Sequence, residues 1–176
     1  MVVLTAFSAN AQKNIIKWNE LAVSLKTINL AYERVLTDKL SAQLQGFYWL
    51  GGSVGDVKFS GFGITPEVRF YPKGEGAKGF FLAPFFRYTN YSIKFDTYDI
   101  SMVPIEGKGT WSAMGAGLCI GGQWIVADHF SIDLYAGPGY NFVGKLSYAD
   151  SYSGSMPSIK FDGLMFRLGT TIGYAF

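Results

Sequence analysis

The sequence predicts an all-β fold: an eight-stranded antiparallel up-and-down transmembrane β-barrel. Three observations predict it. Side chains alternate with period two over nearly the whole chain after Gln12, short and long connections take turns, and each strand divides into a bulky apolar face and a small or polar face. Composition agrees, with 49% hydrophobic, 17% aromatic and 16% charged residues in 176. The charged share is well below the roughly 25% usual in soluble domains. No stretch approaches the roughly 20 consecutive apolar residues of a membrane helix; the greasy run that opens at Gly79 stops at Arg87. The net charge of +2, without a basic patch, gives no ground for nucleic-acid binding.

The chain opens MVVLTAFSANAQK, a short apolar stretch followed by Ala9-Asn10-Ala11. This A-x-A pattern is a signal-peptidase site, so residues 1–11 read as a residual signal peptide and 12–176 as the barrel. The positively charged start of such a peptide is missing, which places the first residue inside the signal. Cys119 is the only cysteine, so it has no intrachain partner, and no cysteine at the processing site offers a lipid anchor.

The eight strands are expected at residues 14–25, 28–36, 40–51, 59–71, 80–95, 110–126, 130–146 and 159–176. Glu20 and Ser24 interrupt the alternation of the first. Thr37-Asp38-Lys39 and Ala127-Asp128-His129 are tight turns, and PKGEGAKG (residues 72–79) is a glycine turn. Residues 52–58, 96–109 and 147–158 are longer connections. Outer-membrane barrels have short periplasmic turns and long outer loops, and an even strand count returns both termini to the periplasmic end.

Parity assigns the faces. On the sixth strand Met114, Ala116, Leu118, Ile120, Trp124 and Val126 oppose Gly115, Gly117, Cys119, Gly121 and Gln123. On the last, Phe176, Tyr174, Ile172, Leu168 and Phe166 oppose Ala175, Gly173, Thr171, Gly169 and Arg167. An eight-stranded barrel has little internal room, so the small face suits the lumen. The bulky faces carry almost no charge, which suits hydrocarbon, where Arg or Lys at midplane costs about 2–4 kcal/mol. Aromatics gather toward both ends of the bulky face, with Tyr32, Trp124 and Phe130 at the turn end and Tyr88 and Tyr140 at the loop end. Such rings favour the boundary between headgroups and acyl chains.

Three stretches, TINLAYERVLTDKLSAQL, GFGITPEVRFYP and KGFFLAPFFRY, together resemble the small outer-membrane barrels of Bacteroides-type bacteria. More distantly the chain resembles the OmpX/OmpA-type eight-stranded barrels, porin-like in architecture. The resemblance implies a closed barrel in the cell outer membrane of a Gram-negative bacterium. Phe176, Tyr174, Ile172 and Leu168 match the terminal signal by which the barrel-assembly machinery recognises such chains. No catalytic residue carries over, since many members of the group have no assigned function.

The expected lumen charges are Glu33, Glu67, Arg69, Arg87, Asp133 and Arg167, joined by Lys17 and Lys145. Carboxylates in a narrow tube invite an acid–base role for Glu67 or Asp133. The favoured reading is a self-neutralising network that fills the barrel, because buried charge needs a partner and the planar guanidinium pairs in several directions. Serine–histidine chemistry needs a histidine beside the hydroxyl. The only one, His129, falls in a periplasmic turn, far from the outer-leaflet lipid A that barrel acyltransferases and deacylases modify. One His and one Cys make no metal site, and no cofactor motif appears.

The expected role is therefore non-enzymatic, structural or surface-interacting, with outer-membrane lipid and lipopolysaccharide as partners and a monomeric state. The alternative is a narrow channel or carrier for small or hydrophobic solutes, if Phe47, Trp49, Phe85 and Tyr135 leave the glycine-lined lumen open. The outer loops add Asp96, Asp99 and Glu106 as a possible divalent-cation surface shared with lipopolysaccharide.

Overall fold

The computed structural model describes residues 14–20, 22, 26–54, 57–98, 104–149, 159–160 and 162–176. Its strands are β1 (Asn14–Trp18), β2 (Thr27–Thr37), β3 (Leu40–Val54), β4 (Val57–Phe70), β5 (Gly79–Tyr98), β6 (Pro104–Val126), β7 (Phe130–Ala149), β8 (Ile159–Lys160) and β9 (Gly163–Ala175). Successive strands from β1 to β7 pair antiparallel, β7 pairs β8 and β9, and β9 pairs β1. The short β8 continues the line of β9 along β7, so the ladder closes into a ring of eight staves. Asn14 and Phe176 seal it, each amide donating to the other's carbonyl at 3.1 and 2.8 Å. The fold is the antiparallel barrel that the alternation predicts.

Closure removes every sheet edge, but it leaves one narrow inside for eight rows of side chains. The chain meets this limit by setting large residues over glycines. A Cβ on Gly117 would lie 2.7 Å from the Phe85 ring, and one on Gly121 would lie 2.5 Å from Phe81. Phe47 stands over Gly63 and Tyr135 over Gly169 in the same way. The outward positions hold the bulk: Trp18, Leu44, Val68, Leu118, Ile120, Leu134 and Leu168 are all exposed. Lumen and exterior are therefore inverted relative to a soluble barrel.

A small apolar core closes the turn end of the lumen. It holds Ile15, Tyr71, Phe81, Ala83, Cys119 and Ala175 together with Ala77 from the β4–β5 turn. That turn folds back across the opening: Tyr71 N donates to Lys39 O at 2.8 Å and Gly76 N to Asp38 O at 2.9 Å. Gly74 and Gly76 sit at φ 72° and 56°, a region that suits glycine, which explains the glycine spacing of PKGEGAKG.

Three expectations change. The first strand ends at Trp18 rather than at residue 25, because the chain turns in helical geometry at Glu20 and Ala22. The connections expected at 52–58 and 96–109 are mostly strand, since β3 and β4 run to Val54 and from Val57, and β5 and β6 to Tyr98 and from Pro104. Their polar composition marks strand that stands clear of the apolar band. The signal peptide at 1–11, the loop residue Asp99 and most of 147–158 lie outside the described residues, as do the side chains of Asp96 and Glu106.

Candidate functional site

Alternation on β4 aims Glu67 and Arg69 inward side by side, with Gln43 and Ser41 opposite them on β3. Arg69 Nε donates to Glu67 Oε1 at 2.6 Å, and its Nη1 reaches Asp133 Oδ2 at 2.6 Å and Gln123 Oε1 at 2.9 Å. Its guanidinium lies 4.3 Å over the Phe81 ring, which closes one face of the group. From β1, Lys17 Nζ meets Asp133 Oδ2 at 2.8 Å, Glu33 Oε2 at 2.5 Å, Gln123 Oε1 at 2.5 Å and Gln43 Oε1 at 3.0 Å. Glu33 also accepts from the Ser41 hydroxyl and from Tyr71 Oη, the latter at 2.9 Å. Tyr71 follows β4 in the turn; burial first, and then the nearby Glu33 carboxylate, hold its phenol above its ordinary range, so it remains a donor.

Higher in the tube, Arg167 from β9 ties the network to the next layer. Its Nη1 donates to Glu67 Oε2 and its Nη2 to Gln45 Oε1, while its plane lies 4.4 Å from the Tyr135 ring and 5.1 Å from Phe85. Asp133 accepts from the Thr171 hydroxyl on its other oxygen. Every carboxylate thus receives at least two donors, which is the condition for keeping charge in a buried place. All three are buried.

Arg87 differs. It is half-buried, its guanidinium stands 5.2 Å from the Phe47 ring, and its Nε is buried with no hydrogen-bond partner. Among the described residues it forms no ion pair. Among the described residues the inward charges on the strands are Lys17, Arg69, Arg87 and Arg167 against Glu33, Glu67 and Asp133, and 4 − 3 leaves +1. Arg87 is the unmatched cation. It borders a cavity of about 570 Å³ with Asn29, Phe47, Trp49 and Tyr91.

Lys145 was expected inside and is exposed. The β6–β7 register reads Gly115 opposite Asn141 but Met114 opposite Val143, so Phe142 is an extra residue. One bulged residue reverses parity beyond it, and Lys145 turns outward. The sequence reading passed over the uncharged members of the network, Ser41, Gln43, Gln45, Gln123 and Thr171. Their signal was register: Gln43 stands opposite Glu67, and Gln123 opposite Asp133.

Of the interface aromatics, Tyr32, Trp124, Phe130 and Tyr140 are exposed on the exterior, while Tyr88 is half-buried against Phe62 with ring centres 6.1 Å apart. Phe176, Tyr174, Ile172 and Leu168 form the outward row of the last stave. His129 stacks on Tyr174 in the β6–β7 turn at 5.3 Å, and Cys119 is buried 3.8 Å from Arg167 Nη1. Among the described residues no three His, Cys, Asp or Glu gather as a metal cluster would require.

This architecture is similar to solved membrane barrels. The translocator domain of autotransporter NalP from Neisseria meningitidis superposes with a TM-score of 0.52 at 15% identity, covering 92% of this chain and 58% of that one. The chain therefore spans little more than half the length of that domain, and the likeness concerns the fold alone. The N-terminal β-barrel domain of Pseudomonas aeruginosa OprF matches with a TM-score of 0.39 at 12% identity, over 94% of this chain and 98% of that one. No curated protein matches the sequence. A family described as "Protein of unknown function (DUF3575)" matches residues 1–160, and the chain belongs to that family.

Proposed function

We propose that the protein is an integral outer-membrane barrel with a non-enzymatic, structural or surface-interaction role, working as a monomer and exported by the signal peptide read at residues 1–11. The observation that carries this reading is a lumen blocked at its turn end by the Lys17–Glu33–Arg69–Glu67–Asp133 network beneath the Tyr71 and Phe81 core. The exterior supports the membrane. Between Arg34 near the turns and Lys58, Lys94, Lys108 and Lys145 toward the other end, no described outward side chain on the strands is charged. The terminal row Phe176, Tyr174, Ile172 and Leu168 would present itself to the assembly machinery, in keeping with the resemblance to OmpX-like and Bacteroides-type barrels.

Lipopolysaccharide is the proposed surface partner. Lys58, Lys94 and Lys108 face one another in register across β4, β5 and β6, all exposed beyond the apolar band. Ammonium groups in such a row offer phosphate oxygens charge-assisted hydrogen bonds. Planar-bilayer recordings test the blocked lumen: no reproducible conductance step is expected, and a stable step would overturn the reading. Incubation with lipid A and mass spectrometry tests the non-enzymatic role, with unchanged acyl chains as the expected result.

The carrier alternative has an observation of its own. A cavity of about 570 Å³ lies beside Arg87, lined among the described residues by Asn29, Phe47, Trp49 and Tyr91.

A further inference from the structure

We propose that the outer wall over β2 to β5 holds, near the turn end, one phospholipid of the ethanolamine type, its phosphate on Arg34 and its primary ammonium on the backbone carbonyl of Val68. This rests on the membrane-barrel reading and adds a bound lipid to it.

The site begins with two prolines. Ile64 faces Tyr88, Glu67 faces Phe85 and Phe70 faces Leu82, and the same register sets Pro66 opposite Phe86 and Pro84 opposite Val68. Between Ile64 and Phe70, Glu67 alone is bridged to β5. On their other sides the prolines leave the ladders intact. From Gln43 to Gln45 β3 pairs β4 with no gap at Pro66, and from Ala83 to Phe85 β5 pairs β6 with no gap at Pro84. Both proline nitrogens therefore point into the β4–β5 gap, where neither has a hydrogen to give. Phe86 O and Val68 O lose the backbone donor that the register puts opposite them. Proline is confined to edges and bulges in most sheets for this reason, and hydrocarbon supplies no replacement donor.

A groove of about 590 Å³ lies over this break, and its outward lining includes Arg34, Ala42, Leu44, Pro66, Pro84 and Phe86. The ladder sets Arg34 opposite Ala42, Ala42 opposite Val68 and Val68 opposite Pro84. Arg34 and Val68 thus stand two strands apart, about 10 Å between backbones, with the single methyl group of Ala42 between them. Arg34 is exposed, three positions before β2 ends at Thr37. Its Nη1 donates to Asn14 Oδ1, which also accepts from Tyr32 Oη at 2.7 Å. A neutral amide orients the guanidinium without neutralising it, and among the described residues no carboxylate pairs with it.

These features select the ligand. A fixed guanidinium at headgroup depth takes a phosphate by charge-assisted hydrogen bonds. The orphan carbonyl at the same level presents the negative end of its dipole, which suits an N–H cation. An ethanolamine headgroup holds the two complementary charges one short linker apart, and the arginine side chain spans the rest of the distance. Leu44, Pro66 and Phe86 carry the groove on toward the bilayer centre, where an acyl chain follows. A choline headgroup keeps the charge but has no N–H, and a glycerol headgroup lacks the cation.

Native mass spectrometry of the folded barrel in non-ionic detergent tests this, by titration with phosphatidylethanolamine, phosphatidylcholine and phosphatidylglycerol of identical acyl chains. One bound phosphatidylethanolamine is expected, with about tenfold preference over the other two. Arg34→Gln should weaken it about tenfold, and Ala42→Phe, which fills the path, by about as much. Pro84→Ala returns an N–H to Val68 O and should abolish the preference over phosphatidylcholine. Pro66→Ala, one level deeper, should leave that preference intact. Equal binding of the three lipids, or tighter binding of phosphatidylglycerol, overturns the site, as does a preference that survives Pro84→Ala. Dimers in place of lipid adducts would assign the groove to a second copy and overturn it too. Heat-dependent gel migration reports the folding of each variant, and insertion of the wild type into vesicles is scored separately. An inserted wild type that binds no phosphatidylethanolamine ends this proposal and leaves the membrane reading standing; one that does not insert removes the reading itself.

Discussion

Glu67 is held by two guanidiniums at once, those of Arg69 and Arg167, in a place no solvent reaches. Removing one partner of such a cluster leaves the others charged, buried and uncompensated. Glu67→Leu is therefore expected to lose about 3–5 kcal/mol of stability, read from urea unfolding followed by gel migration. Arg167→Leu should cost less, because Glu67 keeps Arg69, while Arg69→Leu takes a cation from Glu67 and Asp133 at once, leaving them only Arg167 and Lys17, and should cost most. Equal losses for all three would mean that the network is not coupled as drawn. Glycine gives a second test. A Cβ at Gly117 would strike Pro138 O and the Phe85 ring, whereas among the described residues nothing lies within 4 Å of one at Gly163. Gly117→Ala should cost about 1–3 kcal/mol by overpacking, and Gly163→Ala should be near neutral in the same assay. The inward placement of Glu33, Glu67, Arg69, Arg87, Asp133 and Arg167 was legible because parity runs unbroken from each to its strand's turn end, whereas Arg87's standing apart from the ion pairs was not. Lys145 was not, since only register reveals the extra Phe142.

At the scale of the element, alternation is a strong signal where one face meets hydrocarbon and a weak one elsewhere. The apolar cores of β4, β6, β7 and β9 could be read directly, because most outward residues are bulky and most inward ones small or polar. The outer extensions of β5 and β6 were read as loops, since the stretch DTYDISMVPIEGKG does not alternate as the strands before and after it do. The end of β1 depended on a local turn, with Asn19 capping the amide of Ala22, that competes with the strand pattern. The lysine row belongs to these outer extensions. Replacing Lys58, Lys94 and Lys108 together by Gln should lower affinity for purified lipopolysaccharide about tenfold at low salt, and less at high salt as screening removes the difference. Lys39 and Lys73, at the turn end, replaced in the same way should leave binding unchanged. Equal loss from both sets would show general charge attraction and remove the row as a site.

Over the whole molecule, the distribution of bulk decides which solvent the barrel has been built for. A soluble barrel buries its large apolar residues and exposes charge; this one buries a network of ion pairs around Lys17, Arg69 and Arg167 and exposes an apolar wall. The tryptophans sample both sides. Trp18 and Trp124 point outward and are exposed, whereas Trp111 stacks on Tyr91 with ring centres 5.2 Å apart on the inward row. In variants that keep one tryptophan, the others changed to Phe, acyl-brominated phospholipid should quench Trp18 and Trp124 strongly and Trp111 weakly. Aqueous iodide should leave Trp18 and Trp124 unquenched. The opposite pattern would place the apolar wall in water, a position in which the exposed row from Leu164 to Ile172 would drive aggregation instead of insertion. Bromine quenching thus tests the premise that the blocked lumen and the lysine row share, a barrel whose apolar wall is covered by acyl chains.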